Sequence, residues 1–245
     1  MSKDKIYTTA KDAGKPFRFN QAVADVFPDM LQRSIPGYAA SIEAIESLAA
    51  RYVTSGSTCY DLGCSLGAAT LAMRAGINAA GCKIVAVDNA AAMVERCRDL
   101  VSQDTDPQAT PVDVRQADIQ DTAITNAAMV VMNYTLQFLD VDTRDDLLAR
   151  IFDGMLPGGI FVLSEKVVDD DQNMEELLVD LHHEHKRRND YSQLEIARKR
   201  AALENVLIPE TVATHRRRLA DAGFEHSAVW LRYFNFVSIV ALKSS

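Results

Sequence analysis

The residues best suited to chemistry lie around two glycines, Gly63 and Gly67. An apolar run at 58–60 leads into Asp61, and a helix-like segment at 68–74 follows the second glycine. A strand, a glycine turn and a helix N-terminus together let the backbone approach a ligand closely. An acid beside the turn repels phosphate and suits a ligand with ammonium or hydroxyl groups. The stretch therefore favours S-adenosyl-L-methionine (SAM), with an ordinary glycine turn as the alternative.

Further candidate ligands stand at the ends of the next three predicted strands: Asp88 and Asn89, then Asp118 and Ile119, then Asn133. Ligands of an open parallel sheet bind beyond the carboxyl ends of its strands. Asp88 suits ribose hydroxyls, Asp118 an adenine amino group, and Asn133 an ammonium or main-chain group of the cofactor. Each residue alone is better explained as part of a turn. Their recurrence at successive strand ends favours a SAM pocket.

A sheet must position these residues, and the middle of the chain has the pattern for one. The predicted strands are 57–62, 83–88, 111–116, 128–133 and 159–164, and the helices between them are 66–76, 90–102 and 143–155. Apolar strands that alternate with helices predict an α/β fold: a doubly wound, mostly parallel sheet with helices on both faces. The apolar tail, 228–243, predicts a final hairpin.

The flanking regions predict helical additions to this sheet within one domain, 1–245. Residues 1–19 are predicted to be a mobile arm, and 20–52 a helical lid in which Pro28 lies in the first turn of a second short helix. After the fifth strand, 166–222 is a helical insertion, with helices at 173–189, 191–207 and 211–222. We find no Gly/Ser-rich or Pro-rich linker and no internal repeat.

Charge and composition narrow the possible partners. The formal net charge of −8 repels nucleic acid at long range. Residues 182–218 have nine Lys and Arg against five acids, including the basic clusters 186–188 and 216–218. A solvated helical face explains this excess better than an RNA site does. We therefore expect no direct nucleic-acid binding.

The sequence shows no pattern typical of a membrane span, a secretion signal or a metal site. No apolar run approaches the roughly 20 residues that cross a bilayer, and the first residues lack the apolar core of a secretion signal. Four cysteines form no C-x-x-C pair and are expected to be free thiols, so we expect a cytoplasmic protein without a membrane partner. The run His182–His185 lacks the spacing of zinc-binding helices, and no metal is expected.

The organisation resembles class I SAM-dependent methyltransferases over 40–165 and again in the terminal strands. Longer stretches resemble one family within that class, the carboxy-S-adenosyl-L-methionine (carboxy-SAM) synthases. These stretches are 26–30, 33–38, 61–70, 133–138, 163–166, 204–206 and 222–227. The resemblance covers most of the chain but none of 1–16.

The resemblance implies an unusual reaction of SAM. Prephenate donates a carboxyl group that ends on the SAM methyl carbon, and the products are carboxy-SAM and phenylpyruvate. A dry, electropositive pocket would favour the carboxylated product. Carboxy-SAM would then supply a separate enzyme that makes 5-oxyacetic acid uridine at the tRNA wobble position.

The resemblance also assigns roles to residues. Those implied to hold the cofactor are Tyr38, Gly63, Cys64, Ser65, Asp88, Asn89, Asp118, Ile119 and Asn133. Arg200 is implied to be the catalytic residue that pairs with the new carboxylate, reaching it from the neighbouring subunit of a homodimer. A guanidinium suits that role because it binds carboxylates bidentately. Without the resemblance, Arg200 would be one more solvated charge.

Two other functions fit the same cofactor pocket. A conventional methyltransferase acting on a small molecule or RNA would release S-adenosylhomocysteine. Against it, the fourth strand ends in Asn-Tyr-Thr-Leu, 133–136, and lacks the Asn/Asp-Pro-Pro-Tyr of amino-methylating enzymes. A catalytically inert SAM-binding scaffold would leave prephenate untouched.

Overall fold

A mixed β-sheet forms the centre of the protein. The computed structural model describes residues 3–8, 16–104, 106 and 108–244. The strands are β1 (Thr58–Leu62), β2 (Lys83–Asp88), β3 (Val112–Gln116), β4 (Ala127–Asn133), β5 (Met155–Val168), β6 (Glu210–Thr211), β7 (His226–Tyr233) and β8 (Phe236–Leu242). Their order is β3-β2-β1-β4-β5-β8-β7, and the two-residue β6 pairs with β5. β1 to β5 run parallel, whereas β8 is antiparallel to both β5 and β7.

Helices cover both faces of this sheet. They are α1 (Gln21–Ala24), α2 (Phe27–Ser34), α3 (Tyr38–Tyr52), α4 (Ala68–Gly76), α5 (Ala91–Ser102), α6 (Val141–Gly154), α7 (Gln172–Arg188), α8 (Gln193–Leu203) and α9 (Val212–Asp221). Pro28 lies in the first turn of α2, where a missing N–H costs nothing. No helix in the described ranges is long and apolar enough to cross a membrane.

The core is divided by the sheet into two apolar layers. On one face, Ile45 of α3 and Met73 of α4 pack with Val162 of β5; we call this the α3–α4 face. On the other, Leu147 of α6 and Leu219 of α9 share a cluster with β-strand side chains. Because alternate strand residues point to opposite faces, this division also shows where the polar residues at the strand ends point.

The predicted strands and helices of the sheet region are confirmed, as is the hairpin of β7 and β8. The structure differs from the prediction in two bounds and one additional strand. β5 is longer than 159–164 because Met155 already pairs with Ala127 ahead of a register shift in β4. β6 was not predicted, because two residues show no pattern. The second helix of the insertion ends at Leu203, before 204–207 turn towards Pro209.

The segment 166–222 begins as strand, since residues up to Val168 belong to β5. The described part of the arm 1–19 contacts the helices. The Tyr191 hydroxyl donates to Asp4 Oδ2 at 2.6 Å, and the Phe17 N–H donates to the Ala202 carbonyl at 2.9 Å. The middle of the arm, 9–15, lies outside the described residues.

Candidate functional site

The glycine turn joins the ends of β1 and β2. The N–H groups of Gly63 and Cys64 both donate to the Val87 carbonyl, at 2.8 and 2.9 Å. Gly63 has φ +84°, and a Cβ there would lie 2.3 Å from the Thr135 side chain. Gly67 (φ +87°) leads into α4. Left-handed backbone and close packing thus both require glycine at 63, as the sequence pattern indicates.

Asp88 fixes the shape of this turn through both carboxylate oxygens. Oδ2 accepts the Ser65 N–H at 2.9 Å, and Oδ1 accepts the Ala90 N–H at 2.9 Å. Burial raises the pKa of Asp88, and these hydrogen bonds oppose that effect. Ser65 has φ +49°, an uncommon conformation for a residue other than glycine. The carboxylate therefore links the β1 turn to the start of α5.

Asp61 lies beneath the turn and is almost completely buried. Its Oδ2 accepts a hydrogen bond from Thr70 Oγ1 at 2.5 Å. Burial raises the pKa of Asp61 to about 6, hydrogen bonds from Thr70 oppose the rise, and the Asp88 charge adds to it. Burial, and then the Asp61 charge, also raises the pKa of Tyr38, the first residue of α3. The structure thus brings Tyr38 to the acidic end of the pocket.

Asn89, Asp118 and Ile119 meet at the ends of β2 and β3. Asn89 Nδ2 donates to Asp118 Oδ1 at 2.8 Å. Ile119 is buried and begins a single 3-10 turn. An acceptor carboxylate beside a buried aliphatic side chain suits a purine with an exocyclic amino group. Cys64 is buried near Cys97, whose thiol, together with burial, raises the Cys64 pKa.

Asn133, the last residue of β4, has a side-chain oxygen without a hydrogen-bond donor in the described part of the chain. This Oδ1 atom is buried. Met129 and Val131 pack on the α3–α4 face, so strand alternation places Asn133 on that face too. On β1, Cys59 packs on the same face, which places Asp61 there as well. A buried carbonyl oxygen without a donor is unfavourable in the empty protein. A ligand ammonium would satisfy it.

The loop after β4 is held by a buried acid that the sequence patterns did not assign. Glu165, fully buried on β5, accepts the N–H groups of Leu136 and Gln137 at 2.9 and 3.0 Å. Burial raises its pKa to about 8, against the effect of those hydrogen bonds. Tyr134 in this loop has φ +63°, and its N–H donates to the Ser164 carbonyl at 2.7 Å. An acid directly after an apolar strand was the available signal.

Arg200 is exposed on α8 and makes no hydrogen bond or ion pair with the described part of the chain. It is close enough to the end of β5 for its charge to lower the pKa of Lys166, after the larger effect of burial.

His182 Nε2 lies 2.9 Å from the Ser34 carbonyl oxygen, and its ring contacts Phe236. Within the described ranges, no group of three or more His, Cys, Asp or Glu could hold a metal ion.

The hydrogen-bond acceptors at the strand ends fit SAM. The acids suit ribose and ammonium groups, and Asn133 offers an unpaired acceptor.

A model of a methyltransferase domain matches residues 60–159. The fold is similar to human N-acetylserotonin methyltransferase solved with SAM, at TM-score 0.62 and 18% identity over 92% of this chain and 56% of that one. An O-methyltransferase family protein of Burkholderia thailandensis gives TM-score 0.66 at 15% identity, over 94% and 65%. The protein therefore has the class I SAM methyltransferase fold.

Sequence relatives narrow the class to one family. The carboxy-S-adenosyl-L-methionine synthase of Aliivibrio fischeri strain MJ11 is 53% identical over 240 residues, which is 98% of each chain. That of Vibrio cholerae strain O395 is 54% identical over 242 residues, 98% of this chain and 97% of the other. The chain belongs to the carboxy-SAM synthase family of enzymes.

Proposed function

We propose that the protein converts SAM and prephenate to carboxy-SAM and phenylpyruvate. The observation that carries the proposal is a SAM-type pocket in a chain that matches carboxy-SAM synthases along nearly its full length. Tyr38, Gly63–Ser65, Asp88, Asn89, Asp118, Ile119 and Asn133 would hold SAM. The helices of 20–52 would form a lid, since Tyr38 lies close to the buried acid Asp61.

The reaction balances without an external oxidant or reductant. Prephenate loses its ring carboxyl group as carbon dioxide and its ring hydroxyl as hydroxide, which leaves phenylpyruvate. The SAM sulfonium acidifies the attached methyl group, whose proton leaves with that hydroxide as water, and the carbon takes up the carbon dioxide. The protein would bind and orient the reactants and exclude water, so that carbon dioxide is captured before it escapes.

One incubation tests this function. Purified protein with SAM and prephenate should yield a cofactor heavier by one carboxyl unit, together with an equal amount of phenylpyruvate, measured by mass spectrometry. S-adenosylhomocysteine as the sole cofactor product would instead indicate a conventional methyltransferase. An unchanged cofactor would indicate a binding scaffold. Either result would contradict the proposal.

We infer that Arg200 pairs with the new carboxylate from a neighbouring subunit. A homodimer formed through 166–222 is supported by apolar side chains that stay exposed on two of its helices: Met174 and Leu177 are 46% and 49% exposed on α7, and Leu194 is 55% exposed on α8. Unpaired and exposed on α8, the Arg200 guanidinium would be free to reach a partner's pocket.

Mixed dimers separate action across the interface from action within one chain. At a SAM concentration near the wild-type Kd, Arg200→Ala and Asp88→Ala subunits should each have almost no activity alone. After mixing and subunit exchange, the Arg200→Ala subunit would receive its arginine from the partner, and about one quarter of the activity should return. No recovery, despite heterodimers seen by native mass spectrometry, would place Arg200 in its own subunit's site. Arg217→Ala, which removes another exposed arginine, is the control.

The product would supply the carboxymethyl group for 5-oxyacetic acid uridine at the tRNA wobble position, made by a second enzyme. We infer a cytoplasmic location, which the four free and buried cysteines support. Cells that lack this protein should then lose the modified nucleoside from digested tRNA. Its persistence at the normal level would contradict this role.

A further inference from the structure

A second group of residues lies beyond the carboxyl end of β5. It consists of Lys166 on β5, Lys186 on α7 and Lys199 on α8; we call it the basic cluster. Burial lowers the pKa of Lys186 well below its usual value, and the charges of Lys199, Lys166 and Arg200 lower it further. Side chains from β5 and α8 therefore lie close enough to Lys186 of α7 to repel its charge.

The cluster has little compensation within the chain. Lys186 and Lys199 are only 9% and 8% exposed, and within the described ranges no member forms an ion pair. Lys199 Nζ donates to Ser34 Oγ at 3.1 Å, whereas Lys186 Nζ has no hydrogen-bond partner in the described part of the chain. The Lys186 ammonium is not among the buried atoms that lack a partner, so it keeps contact with solvent while the rest of its side chain is buried. A solvent-facing ammonium next to like charges is available to an anion.

The nearest acids offset the charges of Lys166 and Lys199 but not that of Lys186. Burial lowers the pKa of Lys166, and the Glu175 charge raises it against that larger effect. Burial also lowers the pKa of Lys199, the Asp4 charge raises it, and the Arg33 charge lowers it. Asp4 Oδ2 also accepts a hydrogen bond from the Tyr191 hydroxyl. For Lys186, the charges that act on its pKa are all positive. The positive charge is therefore least compensated at Lys186.

Strand geometry places Lys166 next to the SAM pocket. Ser164 on β5 pairs in register with Asn133 on β4. Lys166, two residues further on, points to the same α3–α4 face as Ser164 and Asn133. Its own N–H donates to Gln137 Oε1 at 3.0 Å, so the loop after β4 fixes its backbone.

Aromatic rings join the two regions. Phe236 pairs with Lys166 across the β5–β8 ladder, and its ring lies 5.9 Å from that of Tyr134 and 4.8 Å from that of His182. Tyr134 in turn lies 6.4 Å from Tyr38. An apolar wall thus runs from the predicted SAM ligand Tyr38 to the basic cluster.

We propose that the basic cluster binds the carboxylates of the second substrate, a small dianionic acid with an apolar ring, and holds it beside the SAM methyl group. The inference rests on the proposed function and adds the binding site for its second substrate. Several cations match two carboxylates, and the aromatic wall matches the ring. Binding would supply the missing counter-charge for Lys186.

The test compares Lys186→Met with Lys83→Met, which removes an exposed lysine from the start of β2. Methionine keeps the length of the side chain without its charge. Lys186→Met should raise KM for prephenate at least tenfold and leave the Kd for SAM within twofold of wild type. Its unfolding midpoint without ligand should match or exceed that of wild type, because an unpaired charge is removed. Lys83→Met should behave as wild type, and Lys166→Met should repeat the KM effect.

Malonate is a second probe that needs no turnover. Calorimetric titration of the SAM-loaded protein should show malonate binding that Lys186→Met weakens at least tenfold. If no carboxy-SAM forms but malonate binds in this Lys186-dependent way, the proposed function fails and the anion site stands. Wild-type KM and malonate affinity in Lys186→Met would overturn the inference alone. So would a wild-type protein that binds neither anion.

Discussion

The two ends of the candidate site treat buried charge in opposite ways. At the ends of β1 and β2, each acid has donors within the protein: two N–H groups donate to Asp88, and Thr70 donates to the buried Asp61. Beyond β5, the Lys186 ammonium has neither a hydrogen-bond partner nor an ion pair in the described part of the chain. One end is organised before any ligand arrives, and the other lacks a counter-charge at Lys186.

This difference indicates what each end recognises. A preformed set of acceptors suits a cofactor that many proteins of this fold bind in the same way. A group of lysines with an incomplete set of counter-charges suits an acid particular to one reaction. Changes at the first end should therefore alter SAM binding, and changes at the second should alter the use of the acidic substrate.

The largest effect is expected from Asp88→Ala. It removes the proposed ribose acceptor and frees the N–H groups of Ser65 and Ala90, so SAM should bind about 100-fold more weakly, roughly 3 kcal/mol. Isothermal titration calorimetry measures the change. Asp146→Asn removes an exposed carboxylate on α6 as the matched control. An affinity within threefold of wild type would argue against a pocket built around Asp88.

A smaller loss of about tenfold is expected for Asn133→Leu, since it removes one hydrogen bond to the SAM ammonium. The variant should keep or gain thermal stability because the buried Oδ1 lacks a partner in the empty protein. Calorimetry and thermal unfolding together separate the two effects. Lower stability with unchanged SAM affinity would mean that Asn133 has only a structural role.

Asp61 should make SAM affinity depend on pH. Its pKa is about 6, so protonation below that value should weaken binding of the cationic cofactor, roughly tenfold between pH 7.5 and 5. Because this pKa is raised, the contribution of Asp61 to stability is full below its unfolded value and is lost as pH rises through about 6. Asp61→Asn should flatten the affinity profile and stabilise the ligand-free protein at pH 7.5 by roughly 2–3 kcal/mol. An unchanged profile would show that another group titrates.

The smallest of the expected effects is a difference between the two ends in how their ligand affinities depend on salt. Raising ionic strength from about 0.05 to 0.3 M should increase KM for prephenate roughly threefold, because screening weakens the attraction of a dianion to the basic cluster. The Kd for SAM should change less than twofold, since buried hydrogen bonds are screened little. Steady-state kinetics and calorimetry at matched salt test this. Equal salt dependence at both ends would remove the distinction between them.

The sequence correctly predicts that the residues of the first end lie at strand ends and in a turn, because its signals are local. Gly63 follows Asp61 within one turn, and Asp88 closes the next strand, so strand periodicity and turn chemistry suffice. The basic cluster shows no such signal. Lys166, Lys186 and Lys199 come from separate elements, and the sequence favours solvated faces for the last two. Only the packing of α7 and α8 beyond β5 reveals that both are buried.

Glu165 and Asn133 illustrate the same limit. The sequence indicates that each ends a strand, but not that one binds two N–H groups while the other retains an unpaired oxygen. Those properties depend on the loop between them. The structure thus adds the state of each polar group to a fold that the pattern already predicts.

The proposed function requires that a carboxyl group move from prephenate to SAM within one pocket. Prephenate labelled with carbon-13 in its ring carboxyl group tests this directly. We predict that the label appears in carboxy-SAM in amounts equal to the phenylpyruvate formed, even when unlabelled bicarbonate is in excess. Unlabelled carboxy-SAM, or label found only in bicarbonate, would contradict the account.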